Sequence, residues 1–187
     1  SYITSNDLTA DNEAAIAAAD AVVVVTGTND QYSKEDGDRT TIALPNGQDE
    51  LISKVGKLNE NTIAIMETCG PMQVTKFEND VAAILWASFG GLRKGVGFGN
   101  IITGAVNPSG KVTDTWHQNV SDAGESDVPS IYDYNMYATN GSNGRTYMYY
   151  VGENAPSYPF GYGLSYTTFE YSNLKIDKTA YDANETV

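Results

Sequence analysis

The sequence predicts an α/β fold with a doubly wound, mostly parallel sheet flanked by helices. Two kinds of segment alternate along its N-terminal half. Short runs of β-branched and other apolar residues are typical of strands buried on both faces of a parallel sheet. The intervening segments contain good helix formers or apolar residues at helical spacing. Strands that alternate with helices in this way favour a parallel sheet with helical crossovers.

Six segments show one or the other of these two patterns. Helices are predicted at residues 11–20, 48–58 and 96–102, and strands at residues 21–26, 61–66 and 81–86. The first helix is alanine-rich and has acids in its first turn, where their negative charge interacts favourably with the helix dipole. The second has Leu51, Ile52, Val55 and Leu58 on one face, which indicates an amphipathic helix. A glycine-rich turn precedes the third.

The composition changes in the C-terminal part. Tyr, Asn, Ser and Gly dominate residues 119–144, which predicts a long surface excursion, and loops of this length are commonly functional. We assign residues 1–168 to one α/β domain. Residues 169–187 alternate between apolar and polar positions, so they predict a linker or the first strand of a following β-domain.

Composition excludes several kinds of partner. The formal net charge of −13, with only 11 Lys and Arg, argues against nucleic-acid binding. Cys69 is the only cysteine, which rules out an internal disulfide and a cysteine-rich zinc site. No apolar run approaches the roughly 20 residues of a membrane span. The N-terminus lacks the order of a signal peptide and starts as if cut from a longer protein, while few lysines and many Asn, Ser and Tyr favour export.

An acidic segment, residues 32–39 (YSKEDGDR), directly follows the first predicted strand. Ligands of open α/β sheets bind beyond the carboxyl ends of the strands, so this position predicts that the segment belongs to a ligand-binding or catalytic site. A calcium loop that starts at Asp30 would need oxygen ligands where Tyr32 and Lys34 stand, so no metal site is predicted. A solvated loop and half of an active site both remain open.

The other motifs favour structural roles. Residues 95–99 (GVGFG) and 104–111 (GAVNPSGK) miss the spacing of phosphate-binding loops and predict tight turns. His117 is the single histidine and no nucleophile elbow occurs, so we expect an ordinary surface residue. The aromatic segments at residues 147–150 and 158–166 predict core and turns, although rings that stack on a sugar are an alternative.

Several segments taken together resemble a known family. They are residues 35–39 (EDGDR), 43–48 (ALPNGQ), 83–87 (AILWA), 107–111 (NPSGK), 144–147 (GRTY) and 158–169 (YPFGYGLSYTTF). In this order they resemble the C-terminal α/β sandwich domain of family 3 glycoside hydrolases, the β-glucosidase and β-xylosidase group. The GRTY segment, with residues 128–136, is more similar to the xylosidase-like branch. Residues 90–95 (GGLRKG) depart from the family pattern by introducing two cations.

The resemblance implies an (α/β)6 sandwich that works in a retaining, exo-acting β-glycosidase without a cofactor. It implies Glu35 as the general acid/base, with Lys34 and Asp36 as candidate substrate-binding residues that could also tune Glu35 or face water. Asp38 and Arg39 are expected to pair and hold the loop.

The same resemblance implies partners outside this sequence. The nucleophile is expected on a TIM-barrel domain of the same polypeptide, so the isolated chain should be inactive. The substrate is expected to be a β-linked oligosaccharide or glycoside, and the C-terminal tail could begin a fibronectin-like domain. The alternative is a non-catalytic carbohydrate-binding or structural module that kept the fold.

Overall fold

The computed structural model describes residues 3, 6–37, 39–120, 127–129, 133–139 and 143–185. Within these ranges the helices are α1 (Ala10–Ala17), α2 (Gln48–Leu58), α3 (Lys94–Ile102) and α4 (Thr146–Tyr149), and the strands are β1 (Val22–Gly27), β2 (Thr62–Glu67) and β3 (Ala83–Ala87). The predicted helices and strands are confirmed with small shifts at their ends, whereas the one-turn helix α4 was not predicted.

The three strands form one parallel sheet in the order β1-β2-β3. Gly27 pairs with Glu67, which in turn pairs with Ala87, so the carboxyl ends of all three strands lie at one edge. Helix α2 connects β1 to β2, and a series of turns at residues 75–80 connects β2 to β3. The predicted α/β class with a parallel sheet is therefore confirmed.

The core lies between one face of the sheet and helices α1 and α2. Val24 and Met66 on that face are buried, as are Ile16 from α1 and Ile52 and Val55 from α2. The spacing of the two apolar residues of α2 places both on the buried side of the helix. Helix α1 begins at a capping box, because the Thr9 hydroxyl accepts the Asn12 N–H while the Asn12 side chain accepts the Thr9 N–H.

The opposite face of the sheet is more open. Val23 and Val25 are 44% and 63% exposed, and most residues of helix α3 are also exposed. A parallel sheet is ordinarily covered on both faces. Among the described residues, the helices therefore cover mainly one face of the sheet.

Two aromatic residues of the C-terminal part, Trp116 and Tyr158, pack onto the core. Trp116 is fully buried, and its ring lies edge-on to Trp86 at 5.4 Å. A backbone bridge joins Trp116 to Tyr158, which confirms a core role for that tyrosine. Beyond residue 168 the described chain, to residue 185, is almost entirely exposed and contains no strand. The described helices are all too short or too polar to span a membrane.

Candidate functional site

The acidic loop is fixed where it leaves the carboxyl end of β1. Asn46 and Gly47 adopt the left-handed backbone conformation that these residue types tolerate, and helix α2 begins directly after them with Gln48. The Gln48 side-chain oxygen accepts the Gly27 N–H at 2.7 Å, and its amide nitrogen donates to the Gly27 carbonyl at 3.0 Å. One side chain thus ties the helix to the last residue of the strand.

The loop then makes a turn centred on Asn29. The Asn29 carbonyl accepts the N–H groups of Tyr32 and Ser33 at 2.9 and 3.0 Å. The Asn29 side-chain oxygen accepts the Gln31 N–H at 3.0 Å. The Tyr32 hydroxyl donates to the Asn46 side chain at 3.0 Å, which links the loop to the turn before α2. These short-range bonds orient the acidic residues that follow.

Glu35 occupies the tip of a tight turn. Lys34 and Gly37 form an antiparallel bridge, so Glu35 and Asp36 are the two residues between them. A side chain at Gly37 would come within 2.8 Å of Cε of Lys34, so the lysine side chain packs over this end of the turn. The Lys34 ammonium lies 3.4 Å from the Asp36 carboxylate. Glu35 is exposed and has neither a hydrogen bond nor an ion pair with the rest of the described chain.

Arg39 anchors the far side of the acidic segment. Its guanidinium nitrogen lies 2.8 Å from the sulfur of Met72, a core residue that is 1% exposed. Arg39 itself is half-buried. Asp38 falls outside the described residues, so the expected pair of Asp38 with Arg39 stays a prediction.

The end of the loop is held between two other segments. The Gln73 N–H donates to the Ile42 carbonyl at 2.7 Å, and the Ile42 N–H donates to the Val120 carbonyl at 3.2 Å. Gln73 belongs to the segment that follows β2, and Val120 belongs to the segment that follows Trp116. The loop that carries Glu35 is thereby connected to both.

A cleft of about 360 Å³ lies among these connected segments. The residues that line it are Pro71, Thr113, Asp114, Thr115, His117, Val128, Arg145, Thr146, Tyr147 and Phe160. The Tyr147 and Phe160 rings stack at 4.5 Å with an interplanar angle of 22°. The sequence favoured core and turn roles for both rings, but they are 61% and 48% exposed.

The prediction that His117 is an ordinary surface residue is wrong. His117 is 9% exposed, and its ring meets the Tyr150 ring edge-on at 4.5 Å. Burial lowers the pKa of His117, and the negative charge of the nearby Asp127 opposes this shift. Asp127 is itself buried, where it accepts the Asn119 N–H at 2.7 Å and the Asn154 side-chain amide at 2.9 Å. The polar residues around His117 in the sequence concealed its packing.

One of the two unusual cations is paired at the same edge of the sheet. Lys94, the first residue of α3, forms an ion pair with Glu67, the last residue of β2. Arg93 is exposed. The part of the chain that the structure describes holds no cluster of three or more His, Cys, Asp or Glu side chains suited to a metal ion.

Comparison with known proteins gives concordant matches. The family model described as "Glycosyl hydrolase family 3 C-terminal domain" matches residues 1–166. The chain is 40% identical to Beta-D-xylosidase 1 of Arabidopsis thaliana over 87% of this chain and 21% of that protein. It is 33% identical to Thermostable beta-glucosidase B of Acetivibrio thermocellus over 94% of this chain and 23% of that protein.

Solved structures agree with these matches. A GH3 exo-beta-xylosidase (XlnD) in complex with a xylobiose aziridine probe superposes with a TM-score of 0.72 and 31% identity, covering 84% of this chain and 20% of that one. A Glycoside Hydrolase Family 3 beta-glucosidase from Neurospora crassa gives 0.64 and 30% identity, over 87% of this chain and 21% of that one. The chain therefore spans about a fifth of the length of the relatives it matches.

Proposed function

Because this chain belongs to the glycosyl hydrolase family 3 C-terminal domain family, we propose that it supplies a general acid/base, Glu35, to a retaining, exo-acting β-glycosidase. The proposed substrates are β-linked oligosaccharides or glycosides from which a terminal glucose or xylose is released. The names of its relatives, which include beta-xylosidases and beta-glucosidases, support this substrate class.

The observation that carries this proposal is the position of Glu35. Its carboxyl group lies at the tip of a two-residue turn, in the loop that leaves the carboxyl end of β1. A side chain that transfers a proton must reach the leaving oxygen of a substrate, and an exposed carboxyl group at a turn tip can do so. The flanking Lys34 and Asp36 pair with each other, which leaves Glu35 available.

The proposed mechanism needs a second carboxylate. In a retaining enzyme the two carboxyl groups lie about 5–5.5 Å apart, and one attacks the anomeric carbon while the other protonates the leaving oxygen. Glu35 would give its proton to that oxygen and then take a proton from the water that hydrolyses the glycosyl-enzyme. The nucleophile would come from a TIM-barrel domain of the same polypeptide. The isolated chain is therefore proposed to be inactive.

Substrate binding would change the surroundings of the exposed Glu35. A general acid must hold its proton before reaction, and burial under a bound sugar beside another carboxylate favours the protonated form. Lys34 and Asp36 are proposed to contact the substrate. Their ion pair is exposed and contributes little to stability, so substrate hydroxyl groups can replace it at low cost.

The test compares Glu35→Ala with Glu60→Ala in the full-length protein. Glu60 is an exposed glutamate in the turn before β2, at the opposite edge of the sheet, and serves as the matched control. Loss of a general acid should slow substrates with poor leaving groups by about 10²–10⁴-fold and spare activated aryl glycosides in the first step. Azide should restore turnover of activated substrates by replacing the water that needs a general base.

Two results would count against the assignment. One is an equal loss of rate on good and poor leaving groups in Glu35→Ala, and the other is a complete lack of azide rescue. A gene that encodes no barrel domain beside this chain would instead favour a carbohydrate-binding or structural module. The division into residues 1–168 and 169–187 stays a prediction that limited proteolysis can check.

A further inference from the structure

We propose that the cleft beside the stacked Tyr147 and Phe160 rings binds a neutral pentose or hexose unit. The inference rests on the proposed function for the class of ligand, which is a sugar, but it does not depend on Glu35 being the acid/base. The volume of the cleft, about 360 Å³, falls within the roughly 300–1,000 Å³ common for small-ligand sites. It assigns a ligand to residues that the proposed proton transfer leaves unused.

The aromatic pair provides a platform for a sugar ring. Tyr147 and Phe160 stack nearly parallel, and about half or more of each residue is exposed. Apolar surface of this kind gains free energy when it is covered. One face of a pyranose presents C–H groups that pack against an aromatic plane, while its hydroxyl groups remain available for polar partners.

Polar atoms stand beside the platform. Asp114 and Thr113 line the cleft from an exposed position, and the Thr113 hydroxyl donates to the Asp114 carboxylate at 3.2 Å. Thr115 and His117 also line it, and their Oγ1 and Nδ1 atoms are buried without a hydrogen-bond partner among the described residues. An unsatisfied buried polar atom lowers stability. Sugar hydroxyl groups both donate and accept hydrogen bonds, so they are suitable partners for these two atoms.

Charge selects a neutral ligand over an anionic one. The Arg145 guanidinium in the cleft already donates to the carbonyl groups of Pro129 and Asp133 at 3.0 and 2.8 Å. The Asp114 carboxylate contributes a negative charge to the lining, and the chain as a whole carries −13. Because the Asp114 carboxylate offsets the Arg145 guanidinium, the lining has no excess positive charge that would hold a uronic acid or a phosphate in place of an uncharged sugar.

The cleft and the Glu35 loop share one framework. Pro71, in the segment after β2, lines the cleft, and Gln73 in that segment is bonded through its backbone to Ile42 at the end of the loop. The Ile42 N–H donates in turn to the carbonyl of Val120, which follows shortly after His117 in the sequence. A sugar in the cleft would therefore lie against segments that also hold the proposed acid/base loop.

The test is a titration of the 187-residue chain with xylose, xylobiose and cellobiose, followed by NMR chemical shifts, with glucuronic acid as the charged comparison. Phe160→Ala should weaken binding of the neutral sugars at least tenfold. Tyr171→Ala is the matched control, because Tyr171 is 94% exposed and does not line the cleft. Circular dichroism checks that each variant is folded.

A second variant protects the test against misfolding. Thr115→Val keeps the shape of the side chain and removes its hydroxyl, so it should weaken binding about fivefold, as expected for one lost hydrogen bond. Its thermal stability should equal or exceed that of the unmodified chain. The proposal would be overturned if no neutral sugar binds at millimolar concentrations, if glucuronic acid binds better, or if Tyr171→Ala weakens binding as much as Phe160→Ala. Because no hydrolysis is measured, this outcome is independent of the Glu35 experiment.

Discussion

Replacing Gln48 with alanine should destabilise the chain at the base of the loop that carries Glu35. The Gln48 side chain is half-buried and makes two hydrogen bonds to Gly27, one with the N–H and one with the carbonyl group. Gly27 also packs tightly against β2, because a side chain there would come within 2.3 Å of the Glu67 carbonyl oxygen. No other protein group can easily enter to replace the lost amide.

The magnitude follows from these two bonds. A hydrogen bond contributes about 0.5–1.5 kcal/mol net, and a buried group left unsatisfied costs about 1–3 kcal/mol. Water can partly reach this site, so we expect a total near the lower end, about 2 kcal/mol. Alanine is a good helix former, so helix α2 should lose no intrinsic stability. For a chain of this size, about 2 kcal/mol corresponds to a fall in Tm of roughly 4–8 °C.

The assay is thermal and urea unfolding of the 187-residue chain, with Gln31→Ala as the control. The Gln31 side chain is exposed and has no hydrogen bond with any described residue, so its removal should change Tm by less than about 2 °C, in line with the small effects at open surface sites. The reasoning would be refuted if Gln48→Ala unfolds at the same temperature as the unmodified chain, or if both variants fall equally.

Two further predictions concern a pair of glycines and the single histidine. A side chain at Gly56 in α2 would lie 2.1 Å from the Asp80 carbonyl oxygen, whereas one at Gly97 in α3 would meet nothing within 4 Å. In urea unfolding, Gly56→Ala should therefore cost about 1–3 kcal/mol, while Gly97→Ala should gain about 0.5–1 kcal/mol, and effects of the same sign would contradict this. Because the pKa of His117 is lowered in the folded chain, the unfolded chain binds more protons than the folded chain just below the ordinary histidine pKa of about 6.5. Stability should be full above that value and fall as the pH drops from 7 towards 5.5, and His117→Gln should flatten this slope; an unchanged slope in urea titrations would exclude His117 as its source.

Much of the fold could be predicted because its signals are local. A run of valines indicates the Val22–Gly27 strand, and apolar residues at helical spacing indicate helix α2. The position of the acidic loop followed from the strand before it, since the carboxyl ends of parallel strands are where open α/β sheets bind ligands. The roles of Glu35, Lys34 and Asp36 remain proposals, because they depend on a substrate and on a second carboxylate.

The sequence by itself determined the α/β class, the positions of the helices and strands along the chain and the family resemblance, because periodicity and motif order depend on neighbouring residues. Only the tertiary structure decided that Gln48 binds Gly27, that His117 lies buried against Tyr150, and that Tyr147 and Phe160 meet beside a cleft. The physical reason is the same for all three. Each contact joins residues that are not neighbours in the sequence, and its free energy depends on burial and geometry that a local sequence pattern does not contain.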